Sequence, residues 1–273
     1  MAKHQHTKLA QAVEDRQDKV AASLRALFAE WARSLGKKVA RLLSEKVGKV
    51  AKAQSTEDLV KEILAQLDLD AFGADVVDEI SAELLAIYER AATAGLAQVK
   101  MEPTDEIVNH LDEQARAYVE ERGAELVGKK IVAGELVDNP NAKWSIDETT
   151  RDYLRLSTTQ AVEEGWSPAR LRDAIEESGA FSEERAMMIA RTELAMAHVE
   201  GNVAGWRQSG EVTGKRWILG DLHDVPDECD DAADEGVIDF EDDFGTGDFA
   251  PPAHPNCICD IEPVLAEPEE EPA

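Results

Sequence analysis

The residues of this chain best suited to chemistry are three cysteines, Cys229, Cys257 and Cys259, with His254 beside two of them. Thiolate and imidazole are the ligands of structural zinc sites, and these four side chains make a Cys3His set. His254 and Cys257 are three positions apart, a separation at which a tight turn aims two side chains at one ion. Pro251, Pro252 and Pro255 stiffen that turn. Cys257-Ile258-Cys259 is the awkward part. Alternate residues of a regular strand share a face, yet closing both on one ion requires a bend. Two readings stay open: zinc held by Cys229, His254, Cys257 and Cys259, or small buried residues that pin a loop.

Other chemistry is thinner. His198-Val199-Glu200 supplies the H-x-E half of a zinc deaminase, but the partner P-C-x-x-C is missing, and His198 reads as a surface residue of a helix. A hydrolytic zinc enzyme of the cytosol, with a neighbouring Asp as base, is the alternative reading. A catalytic zinc keeps an open position, so one of the four ligands would have to stay unbound. The acidic run through Asp224, Asp227, Asp230, Asp231 and Asp234 lacks EF-hand spacing and reads as a solvated loop. No P-loop, G-x-S-x-G or H-E-x-x-H occurs.

Helices must carry most of the chain that positions these residues. Val13, Val20, Leu24, Leu27, Trp31, Leu35, Val39 and Leu42 continue from Leu9 at helical spacing, forming one apolar face. Gly36 and Gly48 weaken it. Ser55 caps a second helix, a third runs from about Ala71 to Val99, and Thr104 opens a fourth. Asp138-Asn139-Pro140-Asn141 is the clearest break. Beyond it, Ser145 with Glu148 forms a capping box for a helix that Gly165 ends. Ser167-Pro168 opens the next helix and Ser182 a longer one, whose stripe of Ala190, Leu194, Ala197, Gly201 and Ala204 allows close packing. Gly214–Leu219 and roughly Ile258–Val264 read as strands on either side of the acidic loop. The expected fold is therefore a mainly α N-terminal half, a helical bundle or elongated helices, followed by a small α+β domain. That second part has a short sheet and a Cys/His-containing loop. The expected divisions are 1–142, 143–265 and an acidic disordered tail, 266–273.

Charge divides the chain as well. The formal net charge is −28, which repels nucleic acid over most of the surface. Residues 1–50 nevertheless hold eleven Lys/Arg against five Asp/Glu, with Lys37, Lys38, Arg41, Lys46 and Lys49 clustered. This basic arm is either a solvated helix face or a contact for an acidic protein surface or DNA. From Leu219 to the end there are nineteen Asp/Glu and no Lys or Arg. No apolar run approaches the ~18 residues of a membrane span, and the start lacks a signal peptide's apolar stretch. The cysteine count suits a reduced, cytosolic chain better than a secreted disulfide framework.

Several motifs follow one another in a familiar order: Thr158-Thr159-Gln160-Ala161, Glu164-Gly165-Trp166-Ser167, Ala190-Arg191-Thr192-Glu193, Gly214-Lys215-Arg216-Trp217, Asp227-Glu228-Cys229 and Pro251-Pro252-Ala253-His254-Pro255-Asn256-Cys257-Ile258-Cys259. Over roughly Thr149 to Val264 the chain resembles the phage Mu protein F-like family of head morphogenesis, or minor capsid, proteins. It departs from the family in two places. Ala232 stands where a second cysteine usually pairs with Cys229, and Ile258 stands where arginine often separates the last two cysteines. The resemblance implies a virion part and not an enzyme, with no small-molecule substrate, found in the phage head and in host cytoplasm during assembly. Its implied partners are the portal or other head proteins, and its implied task is to assist assembly or DNA delivery. Some relatives carry a C-terminal toxin, which the eight residues after Leu265 are too few to form. Arg191 is expected to act structurally, pairing with an acidic residue of the Trp217–Cys229 segment. Residues 1–142 are expected to place the protein in the head, through the apolar stripe or the basic arm.

Overall fold

The computed structural model describes residues 2–47, 55–220, 223, 226–257 and 259–265; within the first helix, side chains are described at 13 and 16–46. Gly48, Lys49, Asp224, Ile258, the Leu9 side chain and the expected tail 266–273 lie outside the described residues. Helices α1 (Ala2–Val47), α2 (Thr56–Leu64), α3 (Leu69–Gln98) and α4 (Asp105–Leu126) come first. A hairpin of β1 (Lys129–Val132) and β2 (Glu135–Asp138) follows, then α5 (Ile146–Glu164), α6 (Pro168–Glu176) and α7 (Glu183–Ser209). Strand β3 (Val212–Ile218), α8 (Glu228–Asp234), β4 (Val237–Asp239) and β5 (Asp260–Leu265) complete the order. A helical first half followed by an α+β region is thus the observed architecture. Among the described residues, no helix is long and apolar enough to cross a membrane.

Local chemistry sets the helix ends. Ser145 Oγ accepts the Glu148 amide, Ser167 Oγ accepts the Arg170 amide at 3.2 Å ahead of Pro168, and Ser182 Oγ accepts the Arg185 amide at 3.1 Å. Gly165 closes α5 in the left-handed conformation, φ 65°. Helix α1 does not weaken at Gly36. A Cβ there would sit 3.2 Å from Cγ and the carbonyl oxygen of Arg172, so the glycine lets α6 lie close.

The described residues form two compact units, and each draws on both sides of the Asn139-Pro140 turn. One comprises 18–81 and 120–187. Its core brings Phe28, Phe72 and Phe181 together, with ring centroids 5.7 to 6.3 Å apart. Trp31 packs edge-on against Phe72 and donates Nε1–H to Asp75 at 2.8 Å. Val20, Leu24, Phe28, Leu35, Val39 and Leu42 are all buried. The chain itself therefore covers most of the described part of the α1 stripe, while Leu27 and Trp31 stay only half-buried. The hairpin also lies in this unit and was not anticipated. It turns through Ala133 (φ 53°) and Gly134 (φ 82°), and Leu136 on β2 is 64% exposed.

The other unit comprises 1–17, 82–119 and 188–273. Here the small-residue stripe of α7 meets α3 at backbone contact. A Cβ on Gly201 would strike the Tyr88 carbonyl oxygen, and one on Gly205 that of Ala92. Across the same seam, a Cβ on Gly95 would lie 2.7 Å from the Asn202 carbonyl oxygen. The sheet has the order β4-β3-β5 and is antiparallel throughout, pairing Trp217 with Ile261 and Arg216 with Glu262. An irregularity between Val212 and Gly214 shifts the register. It reverses which face later residues present, so Lys215 joins Trp217 inside. Val203, Trp206, Trp217, Cys229, Phe244, Cys257 and Ile261 form the core beneath.

Candidate metal centre

Three short segments bring the Cys/His residues together. The first is α8, inside what the sequence suggested was an open acidic loop. Asp227 caps it: Oδ1 accepts the Cys229 amide at 2.8 Å, and Asp230 accepts the Asp227 amide at 2.9 Å. That reciprocal cap turns Cys229 inward to complete burial. The second segment is the turn through His254, closed by the Cys257 amide donating to the His254 carbonyl at 3.2 Å. The third is the entry to β5. The strand begins at Asp260, so Cys257 and Cys259 both precede it and do not share one strand face.

Helix α7 holds that turn in place. Thr192 Oγ1 accepts the Asn256 amide at 2.8 Å, and Arg191 Nη1 donates to Asn256 Oδ1 at 2.7 Å. Asn256 sits in the left-handed region, φ 68°, where asparagine is better tolerated than most residues. Arg191 therefore pairs with this amide side chain, and the expected acidic partner from the Trp217–Cys229 segment is corrected. His198 is corrected too. It is buried, with Nε2 3.0 Å from Asn202 Nδ2 and 3.6 Å from Asp260.

The donor atoms of Cys229, His254 and Cys257 all lie within 4.8 Å of one another. Cys229 Sγ is 3.7 Å from Cys257 Sγ and 3.6 Å from His254 Nε2. His254 Nδ1 lies 3.0 Å from the Pro255 carbonyl, which can only accept, so Nδ1 carries the proton. Nε2 is thereby turned toward Cys229 and toward Asp227 Oδ2 at 3.2 Å. Cys259 stands just outside this trio, and its amide donates to Cys257 Sγ at 3.5 Å. Hydrogen bonding with the Cys257 thiol, the largest influence, lowers the Cys259 pKa to about 6 against the opposing effect of burial. Burial beside that charge pushes the Cys229 thiol up. Hydrogen bonding with Cys259 and burial push up the Cys257 thiol.

The donor chemistry fits a soft or borderline cation. Two sulfurs and one imidazole nitrogen converge, a third sulfur stands alongside, and the surroundings are apolar. The sequence missed Asp227, which it placed in a solvated run. The signal lay in the Asp227-x-x-Asp230 spacing that brackets Cys229, that of a helix cap. Beside this centre, His223 Nε2 lies 2.9 Å from Asp230 Oδ2, a bond that raises the histidine pKa. Lys215 was missed as well. It is fully buried, its Nζ has no hydrogen-bond partner, and it lies 2.9 Å from the centroid of the Phe249 ring.

Residues 152–262, which include the segments that build this centre, match the family described as Phage Mu protein F like protein. The motifs quoted above lie within this matched segment. No curated protein and no solved structure matches the chain.

Proposed function

We propose that this protein is a phage head morphogenesis protein, a minor structural part of the virion that works by binding other head proteins. The carrying observation is the family match over 152–262, which runs from α5 to β5. Portal association, and help with assembly or DNA delivery, are the finer parts of the reading. They come from the family resemblance.

Helix α1 adds the placement surface. Its apolar side is mostly covered internally, so Leu24 is closed to a partner, while Trp31 is only half-buried. The outward side carries Arg33, Lys37 and Lys38, none with an ion-pair or hydrogen-bond partner among the described residues. They line an open groove with Ser34, Glu30 and Arg41. Lys37 and Arg41 also line a second groove with Arg172 of α6. Unpaired cations on a chain of net charge −28 suit an acidic contact, such as a head protein's surface or DNA phosphates.

Cross-linking and mass spectrometry on purified procapsids and virions test the reading. The expected result is this protein at low copy number, with portal or other head proteins among its cross-links. Purified heads that never contain it would overturn the proposal. Arg33, Lys37 and Lys38 changed together to Glu should fold normally yet enter heads less. Normal incorporation would show that α1's cations do not place the protein.

A further inference from the structure

We propose that Cys229, His254, Cys257 and Cys259 bind one zinc ion, which fastens α8 to the turn ahead of β5. The inference stands on the side chains themselves and holds whatever the protein docks to in a head.

The separations are those of a coordination polyhedron. With Zn–S near 2.3 Å and Zn–N near 2.05 Å, a tetrahedral site has an S···S edge of about 3.8 Å and an S···N edge of about 3.5 Å. Cys229 to Cys257 is 3.7 Å and Cys229 to His254 Nε2 is 3.6 Å. Two sulfurs packed as a weak thiol pair could reach such a distance alone. An imidazole nitrogen at the matching distance, its other nitrogen already engaged by a carbonyl, is what packing does not require. The Cys259 amide on Cys257 Sγ supplies an outer hydrogen bond to a ligand sulfur.

Two groups compete for the fourth position. Asp227 Oδ2 is near His254 Nε2, but the same carboxylate caps α8 through Oδ1. The Cys259 amide donates to Cys257 Sγ at 3.5 Å, so this residue lies against the trio, and a third soft ligand completes a set that zinc favours. Cys259 is therefore the ligand, and Asp227 orients the site from outside. Four protein ligands leave no open position, so the ion is a fastener and not an activator of water.

Native mass spectrometry and elemental analysis of the full chain, purified without chelator in zinc-supplemented medium, should give one zinc per chain. Chelation should lower the melting temperature. Cobalt exchanged into the intact protein should show tetrahedral d–d bands and thiolate-to-cobalt charge transfer. Cys259→Ser should reduce that charge-transfer band by roughly a third, as expected for losing one of three sulfurs, whereas Asp227→Asn should leave it in place. A full-intensity band in Cys259→Ser, lost instead in Asp227→Asn, would overturn the ligand set. No zinc and no cobalt spectrum in the unaltered chain would overturn the metal site, and that measurement needs no variant to fold.

Discussion

Arg191 and Asn256 lie 65 positions apart in the chain and meet at 2.7 Å, guanidinium to amide oxygen. With Thr192 holding the Asn256 amide, consecutive residues of α7 fix both the backbone and the side chain of one left-handed residue. Asn256→Ala loses the side-chain bond and strains the backbone, for an expected loss of about 2 kcal/mol. Asn256→Gly keeps the conformation and should lose less. Urea unfolding of both variants measures the difference, and equal losses would show that φ at 256 contributes nothing.

Gly201→Ala and Gly205→Ala should each destabilise the protein by more than ~2 kcal/mol, because the new methyl meets a backbone carbonyl of α3. An exposed helical glycine would instead gain up to about 1 kcal/mol from alanine. Thermal unfolding followed by circular dichroism reads the sign directly.

Lys215 has its pKa lowered to about 8, chiefly by burial, against a usual value of 10.5. Between those values the unfolded chain binds more protons than the folded one, so this group makes stability rise as pH climbs from about 8 to 10.5. Below about 8 its contribution is flat. Lys215→Met fills the same space without the charge. It should raise stability at pH 7 by roughly 1 kcal/mol or more and remove the rise at alkaline pH. A variant less stable than the parent would mean that the contacts with Phe249 and Phe244 outweigh burial of the charge.

Asp147 works in the opposite direction. Burial, reinforced by Asp70, raises its pKa to about 6, and Oδ1 has no hydrogen-bond partner. The folded chain holds this proton more tightly, so the contribution is fully present below about pH 4 and is lost as pH rises through 6. Asp147→Asn should therefore be about 1 kcal/mol more stable at pH 7, with that fall in stability gone. Unfolding curves at pH 4.5, 5.5 and 7 test it.

The parts legible in the sequence were those governed by neighbours along the chain. Ser145, Ser167 and Ser182 announce helix starts because a cap needs only a hydroxyl and an amide three residues on. The Cys/His residues drew attention by type alone. What the sequence concealed depends on register and on distant cover. Lys215 is of a residue type that usually faces water, yet it shares the inward face of β3 with Trp217. Helix α8 has only seven residues, most of them acidic, and gives no apolar period. The β1–β2 hairpin turns on Ala133-Gly134 without the usual Asn-Gly signal, and its second strand is exposed throughout.

The composition of the two units sets an order in time. Residues 1–17 belong with 82–119 and with 188 onward. At ~5–20 residues per second, the first of these segments waits roughly ten to thirty seconds after emerging before its last companions begin to leave the ribosome. The other unit, which ends at Met187, has all its segments sooner. Its completion must therefore precede that of the unit holding the Cys/His turn. A ribosome stalled after residue 187 would carry this unit with 82–119 as the sole companion of 1–17, and without the segment that supplies every cysteine.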